Sequence, residues 1–71
     1  MSPDKLAYMA NQIGHFFQSQ KHDTAAAAIE DHLLKFWDPR MRKTLLENLD
    51  KVQLDPLVRQ AAERMRDSQP A

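Results

Sequence analysis

The chain of 71 residues contains no cysteine, which excludes disulfide bonds and thiolate metal sites. A chain this short buries a small core, so it must rely on good helix packing or on association with another chain. Ten basic and ten acidic side chains cancel, which argues against a protein that coats nucleic acid or an anionic membrane.

Long apolar runs are also missing. None approaches the roughly 20 residues that are needed to cross a bilayer. The first residues, Met1–Lys5, lack the charged-then-apolar form of a signal peptide. The cytoplasm is therefore the expected location.

The sequence has a single glycine and no alternating runs of β-branched residues, while helix-forming residues are abundant. This composition is typical of an all-α protein. We expect one small helical domain over residues 1–71, with a frayed tail at 67–71. The apolar spacing predicts a bundle of four short helices, over residues 3–19, 24–36, 39–50 and 56–66.

Three of the predicted helices begin with a capping residue followed by proline, a typical helix start. These pairs are Ser2-Pro3, Asp38-Pro39 and Asp55-Pro56. Asp38 and Asp55 should cap their helices through side-chain oxygens. The second helix lacks such a proline, and Asp23 or Thr24 is expected to cap it.

Apolar residues recur every three or four positions along each predicted helix, which indicates one buried stripe per helix. The stripes comprise Leu6, Met9, Ala10, Ile13, Phe16 and Phe17, then Ala26, Ile29, Leu33 and Phe36, then Met41, Leu45, Leu46 and Leu49, and finally Leu57, Val58, Ala61, Ala62 and Met65. Leu34 lies off its stripe and suggests a second buried edge. Gly14 is interpreted as a tolerated surface glycine; the alternative is close approach of another helix.

The sharpest break in the chain is at Trp37-Asp38-Pro39, because proline disfavours the helical conformation in the residue before it. Two helices should meet there in a tight elbow with Trp37 at the bend. The pattern from Trp37 to Arg42 is repeated from Leu54 to Arg59: apolar, Asp, Pro, variable, apolar, Arg. Each arginine stem is expected to pack on the apolar residue before the cap, with a cation–π contact of Arg42 over Trp37.

Catalytic chemistry finds little support in the sequence. It has no Gly-rich phosphate loop, no nucleophile setting and no Cys/His metal pattern. His15, His22 and His32 lack the spacing of paired ligands and are interpreted as surface or boundary residues. The chain is also too small to enclose a substrate pocket of the usual size. We therefore predict no catalytic, cofactor-binding or metal-binding residue.

The elbow is the candidate interaction site. Trp37 is interpreted either as a core residue or as one shared between core and interface. The nearby cations are most often a solvated face, but arginine beside tryptophan is also typical of interface hot spots. The predicted partner-binding residues are Phe36, Trp37, Asp38, Arg40, Arg42 and Lys43. The alternative docking surface is the outer side of the first helix, around Tyr8, Gln12 and His15.

Several strings in the chain resemble one family, the delta subunit of the soluble NAD-dependent, molybdenum-containing formate dehydrogenases of bacteria. The similarity covers residues 5–65, and its most unusual string is Phe-Trp-Asp-Pro-Arg-Met at 36–41. The other matching strings are Met-Ala-Asn-Gln-Ile at 9–13, Phe-Phe at 16–17, Asp-His-Leu at 31–33 and Leu-Asp-Pro-Leu-Val at 54–58.

The resemblance implies a small accessory subunit that supports assembly, stability or activity. In such complexes the alpha subunit carries a molybdenum bis-guanine-dinucleotide cofactor and iron–sulfur clusters. The beta and gamma subunits carry FMN, further clusters and the NAD site, and the complex oxidises formate to carbon dioxide. The delta subunit is expected to hold no redox cofactor and to dock on the alpha subunit.

Two other classes remain open at this stage. One is a maturation factor that assists insertion of the molybdenum cofactor and then leaves. The other is a small helical DNA-binding module, because short elbows also occur in helix-turn-helix proteins. The zero net charge and the acidic residues on every helix weigh against the second.

Overall fold

The computed structural model describes residues 2–68, apart from the side chains of residues 22 and 23. Four helices make up this part of the chain: α1 (Pro3–Phe17), α2 (His22–Phe36), α3 (Pro39–Glu47) and α4 (Pro56–Ser68). No strand occurs within residues 2–68. The predicted all-α class with four short helices is therefore confirmed.

The helix starts follow the capping residues in two of the four cases. Ser2 Oγ accepts a hydrogen bond from the backbone N–H of Lys5 at 3.2 Å, and Asp38 Oδ1 accepts one from Met41 at 2.9 Å. Each bond gives a partner to a backbone N–H of the first helical turn. These N–H groups have no acceptor within the helix.

The other two helices differ from the prediction at the cap, although α4 starts at Pro56 as predicted. Helix α2 begins at His22 with Lys21 at the cap position, so Asp23 and Thr24 lie inside its first turn. The Asp55 carboxylate faces His15 at 3.4 Å, and no hydrogen bond to it from the first turn of α4 is found in the described part of the chain. Proline at the first helical position still favours a start there, because it fixes a helical φ and needs no N–H partner.

Three helix ends also differ from the predicted bounds. Helix α1 stops at Phe17, two residues before its predicted end. Helix α3 stops at Glu47, where Asn48 adopts φ −120° and ψ 19° and its side-chain amide donates to the carbonyl of Thr44 at 2.8 Å. A turn over 48–51 follows and buries Val52. Helix α4 continues to Ser68, so Asp67 and Ser68 of the predicted tail are helical, and 69–71 lie outside the described residues.

The core lies where the four helices meet, and α2 packs most extensively on α4. Small residues on both helices make this close packing possible, because alanine lets two backbones approach. The fully buried alanines on these helices are Ala25, Ala26, Ala61 and Ala62. The largest fully buried side chains are Leu6, Ile29, Leu33, Leu45, Val58 and Met65.

Three apolar side chains that were expected in the core lie in solvent instead. Phe16 is 83% exposed, Phe36 is 72% exposed and Leu34 is 49% exposed. Phe16 lies in the last turn of α1, and Phe36 is the last residue of α2. The place expected for Phe36 is taken by Trp37, which is 6% exposed.

Gly14 is buried, so its interpretation as a surface glycine is wrong. A Cβ atom placed on it would lie 2.5 Å from Cγ2 of Val58, well inside van der Waals contact. Glycine therefore avoids a clash where α1 crosses α4, and the close-approach alternative is correct.

Replacing Gly14 by alanine is expected to lower the free energy of unfolding by about 1 kcal/mol. Overpacking costs about 1–3 kcal/mol, and the better helix propensity of alanine offsets about 1 kcal/mol of this. Val58 is fully buried and stiff at χ1, so it cannot rotate away. Urea denaturation followed by circular dichroism measures the change. In the background of Val58→Ala, which removes Cγ2, the same glycine replacement should stabilise the chain.

Polar contacts between distant segments fix the arrangement of the helices. The Asn11 side chain donates to the carbonyl of Gln53 at 3.1 Å and accepts from the backbone N–H of Asp55 at 3.0 Å. It thus holds the α3–α4 link against α1. Arg64 Nε donates to Glu30 Oε1 at 2.9 Å and joins α4 to α2.

Replacing Asp38 by alanine should destabilise the chain by about 1 kcal/mol, the usual cost of a lost N-cap. The carboxylate bond to Met41 is the interaction removed. A denaturant titration of the free chain tests this, with Asp38→Asn as the control, since asparagine caps equally well. Equal losses for the two variants would mean that the cap bond contributes nothing.

Candidate functional site: the helical elbow

The elbow between α2 and α3 is two residues long. Trp37 ends α2 with its backbone extended at φ −89° and ψ 138°, while its N–H still donates to the carbonyl of Leu33 at 3.1 Å. Asp38 is also extended, at φ −73° and ψ 162°, as the residue before a proline should be. The indole is turned inward and belongs to the core cluster with Leu33 and Leu45.

Arg42 stabilises this elbow through two hydrogen bonds. Its Nη1 donates to the carbonyl of Trp37 at 2.7 Å and to that of Leu34 at 3.0 Å. These carbonyls belong to the end of α2, where the carbonyl groups have no N–H partner within the helix. The partial negative charge at this end of the helix also favours a nearby cation. The expected stacking of Arg42 over the indole is replaced by these bonds, because the indole is buried and the unpaired carbonyls are the stronger acceptors.

The repeated pattern gives Arg59 the same function at the next connection. Its Nη1 donates to the carbonyl of Leu49 at 2.8 Å, and its Nη2 donates to that of Val52 at 3.1 Å. Each Asp-Pro start thus carries an arginine one turn later that reaches back to the end of the preceding segment. The sequence pattern identified the arginines, but the carbonyls that accept from them depend on how each connection folds.

The outer face of the elbow is basic. Arg40 and Lys43 are exposed and form no ion pair with any described side chain, whereas Lys35 pairs with Asp31 at 3.0 Å. A groove of about 250 Å³ lies beside Arg40. It is lined by Leu6, Asp38, Arg40, Met41 and Thr44. Two of these lining residues are apolar and three are polar or charged.

The six residues predicted to bind a partner therefore divide into two groups. Phe36, Asp38, Arg40 and Lys43 are exposed at the elbow, although the Asp38 carboxylate is engaged as a cap. Trp37 is buried and Arg42 is half-buried and bonded to carbonyls, so both support the surface from beneath. The structure does not bring the indole to the surface.

His15 and His32 lie in separate places, and the prediction for the His22 side chain falls outside the described part of the chain. His15 Nε2 is 3.4 Å from Asp55 Oδ2 in an exposed pair, at the rim of a groove of about 330 Å³ between α1 and the start of α4. His32 on α2 lies between two phenylalanine rings, with ring centroids 4.7 Å from Phe36 and 6.4 Å from Phe17. Among the side chains that the structure describes, which exclude those of residues 22 and 23, no three His, Cys, Asp or Glu side chains come together as a possible metal site.

The contact among Phe17, His32 and Phe36 was not predicted from the sequence. The spacing of four between His32 and Phe36 places them on one helix face, which is a readable signal. The addition of Phe17 depends on the angle at which α1 crosses α2, and nothing in the local sequence gives that angle.

Comparison with known proteins adds the decisive observation about the family. A family model described as NADH-dependent formate dehydrogenase delta subunit FdsD matches residues 5–62, well over half of the chain. The chain belongs to this family. The match extends from the first turn of α1 to the middle of α4 and includes the elbow. No curated protein and no solved structure gives a significant match.

Membership in the delta-subunit family makes the chain part of a multi-subunit, NAD-dependent formate dehydrogenase. The suspected resemblance is thereby confirmed. Among the helices that the structure describes, none combines the length and apolar character of a membrane span.

Proposed function

We propose that this chain is a non-catalytic accessory subunit of a cytoplasmic formate dehydrogenase, and that it docks on the alpha subunit through its elbow. The proposal is carried by one observation: a delta-subunit chain presents two exposed cations, Arg40 and Lys43, that no described side chain pairs. A partner surface with carboxylates would pair them. Docking would then support the assembly, stability or activity of the complex.

In this proposal the redox chemistry belongs to other subunits. The alpha subunit would carry the molybdenum bis-guanine-dinucleotide cofactor and iron–sulfur clusters, and the beta and gamma subunits would carry FMN, further clusters and the NAD site. Cluster ligation by thiolates needs cysteine, and this chain has none. Two of its histidines already have neighbours within the chain: His15 lies against Asp55, and His32 packs on the ring of Phe36.

The elbow suits docking because its backbone is fixed before a partner arrives. Arg42 and the Asp38 cap hold the junction of α2 and α3 in one geometry, so little conformational freedom would be lost on binding. Phe36, Arg40 and Lys43 are thereby presented from a rigid bend.

Co-purification tests the proposal directly. The chain is tagged and expressed with the alpha, beta and gamma subunits, and the ratio of tagged chain to alpha subunit is measured in the active enzyme. A constant ratio near one through successive columns is expected for a permanent subunit. Recovery only with cofactor-free alpha subunit would identify a transient maturation factor instead.

A further inference from the structure

The five aromatic side chains are distributed unusually for so small a core. Only Trp37 is buried, whereas Tyr8, Phe16 and Phe36 are 64%, 83% and 72% exposed. Burial of a phenylalanine is among the larger stabilising contributions open to a short chain. Leaving such side chains in water indicates that some of them are covered by another molecule.

Phe36 differs from Tyr8 and Phe16 in that its ring packs on a neighbouring ring, that of His32. Phe17, His32 and Phe36 form a continuous line of ring contacts across α1 and α2, which we name the aromatic row. Phe17 and His32 are half-buried, and Phe36 is the exposed end. A ring that is already positioned by its neighbours loses little freedom when a partner covers it.

Charge around the row indicates the kind of partner. Lys35, which precedes Phe36 on α2, is already paired with Asp31 and needs no partner from another chain. On α3, beyond the elbow from Phe36, Arg40 and Lys43 form no ion pair with any side chain that the structure describes. A partner that covers both Phe36 and these cations must therefore offer an apolar cleft and carboxylates.

From this arrangement we infer that the aromatic row is the apolar centre of the docking surface, and that its occupant is another formate dehydrogenase subunit with an acidic-rimmed apolar cleft for Phe36. This inference rests on the proposed accessory function and adds an apolar contact at Phe36 to the cations proposed for docking. A second copy of this chain fits less well. In a two-fold symmetric dimer the same patch of each copy faces the other copy. Arg40 and Lys43 of one copy would then approach the same cations of the second copy, and like charges repel.

The test measures binding of the full chain to the formate dehydrogenase complex that lacks the delta subunit. Phe36→Ser is compared with Tyr8→Ser, its matched control, because Tyr8 is also an exposed aromatic but takes no part in the row. Phe36→Ser should raise Kd at least about tenfold, as loss of an aromatic hot spot does. Tyr8→Ser should change Kd less than about twofold, the level of energetically neutral contacts.

Ionic strength separates this apolar contact from the basic rim. The effect of Phe36→Ser should persist at about 0.5 M salt, because burial of a ring is not screened, while the contribution of exposed charges falls. Phe36→Leu, which keeps an apolar side chain, should retain most of the affinity. Circular dichroism should show unchanged helix content in all variants, since the replaced side chains lie in solvent.

Three results would overturn the inference. Wild-type affinity of Phe36→Ser would remove the aromatic row from the interface. A loss of affinity that occurs only in Tyr8→Ser would place the docking surface on the outer face of α1. A free chain that sediments as a dimer and becomes monomeric on Phe36→Ser would make a second copy the occupant. If the unaltered chain fails to bind the complex, the proposed function fails as well, which distinguishes that case from the other three.

Discussion

Replacing Trp37 by alanine is expected to lower the free energy of unfolding by about 3–5 kcal/mol, the usual cost of removing a large buried aromatic side chain. The indole is 6% exposed and belongs to the core cluster that includes Leu33 and Leu45. Because the core of a chain this short supplies only about 3–5 kcal/mol, this variant should be partly or wholly unfolded at room temperature. Urea denaturation followed by far-ultraviolet circular dichroism measures the loss, since the variant has no tryptophan fluorescence.

The matched control is the preceding residue. Phe36→Ala removes a neighbouring aromatic ring of which 72% is exposed, so the free energy of unfolding should change by less than about 0.5 kcal/mol. A variant Trp37→Phe should lie between the two. If Trp37→Ala is as stable as the control, the indole does not support the elbow.

This expectation also governs how interface experiments are interpreted. A Trp37 variant that fails to bind formate dehydrogenase would have lost its fold first, so its failure would say nothing about contact. Phe36 and Arg40 are the informative positions, because both side chains are exposed and can be removed without opening the core.

The contrast between Phe36 and Trp37 shows what the sequence could predict at the elbow. Phe36 lies three residues after Leu33 and Trp37 lies four residues after it. The helical periodicity is therefore compatible with either residue in the core. The choice depends on the direction in which the chain leaves α2. With α3 starting at Pro39, the Trp37 side chain is buried at the bend and the Phe36 side chain is exposed. Local spacing cannot supply that direction.

Helix starts and arginines show the same division between local and distant information. Asp38 was correctly predicted as a cap because its partner, Met41, is three residues away. Asp55 has the same local signal, yet its carboxylate faces His15, forty positions earlier in the chain. Gly14 was misinterpreted for a related reason, since Val58 reaches it only after the helices have packed. Contacts within a turn follow from the sequence, and contacts between helices do not.

Replacing Arg40 by alanine is expected to weaken binding to the alpha subunit by about 1–3 kcal/mol, if the guanidinium is buried against a carboxylate in the complex. Arg40 is exposed in the free chain, and no described side chain pairs it. Its side chain therefore gains a partner only on docking. The helix content of the free chain should not change, because alanine is a better helix former than arginine.

Arg66→Ala is the matched control for this experiment. It removes the same charge from an exposed arginine, but from the last turns of α4, where the guanidinium pairs with Asp67. Both variants reduce the net charge equally, so a general electrostatic effect on association would appear in both. A loss specific to Arg40→Ala that shrinks between about 0.05 M and 0.5 M salt indicates a charged contact at the elbow. Normal binding by Arg40→Ala at moderate salt would show instead that the basic face is only solvated, and docking would then have to use another surface.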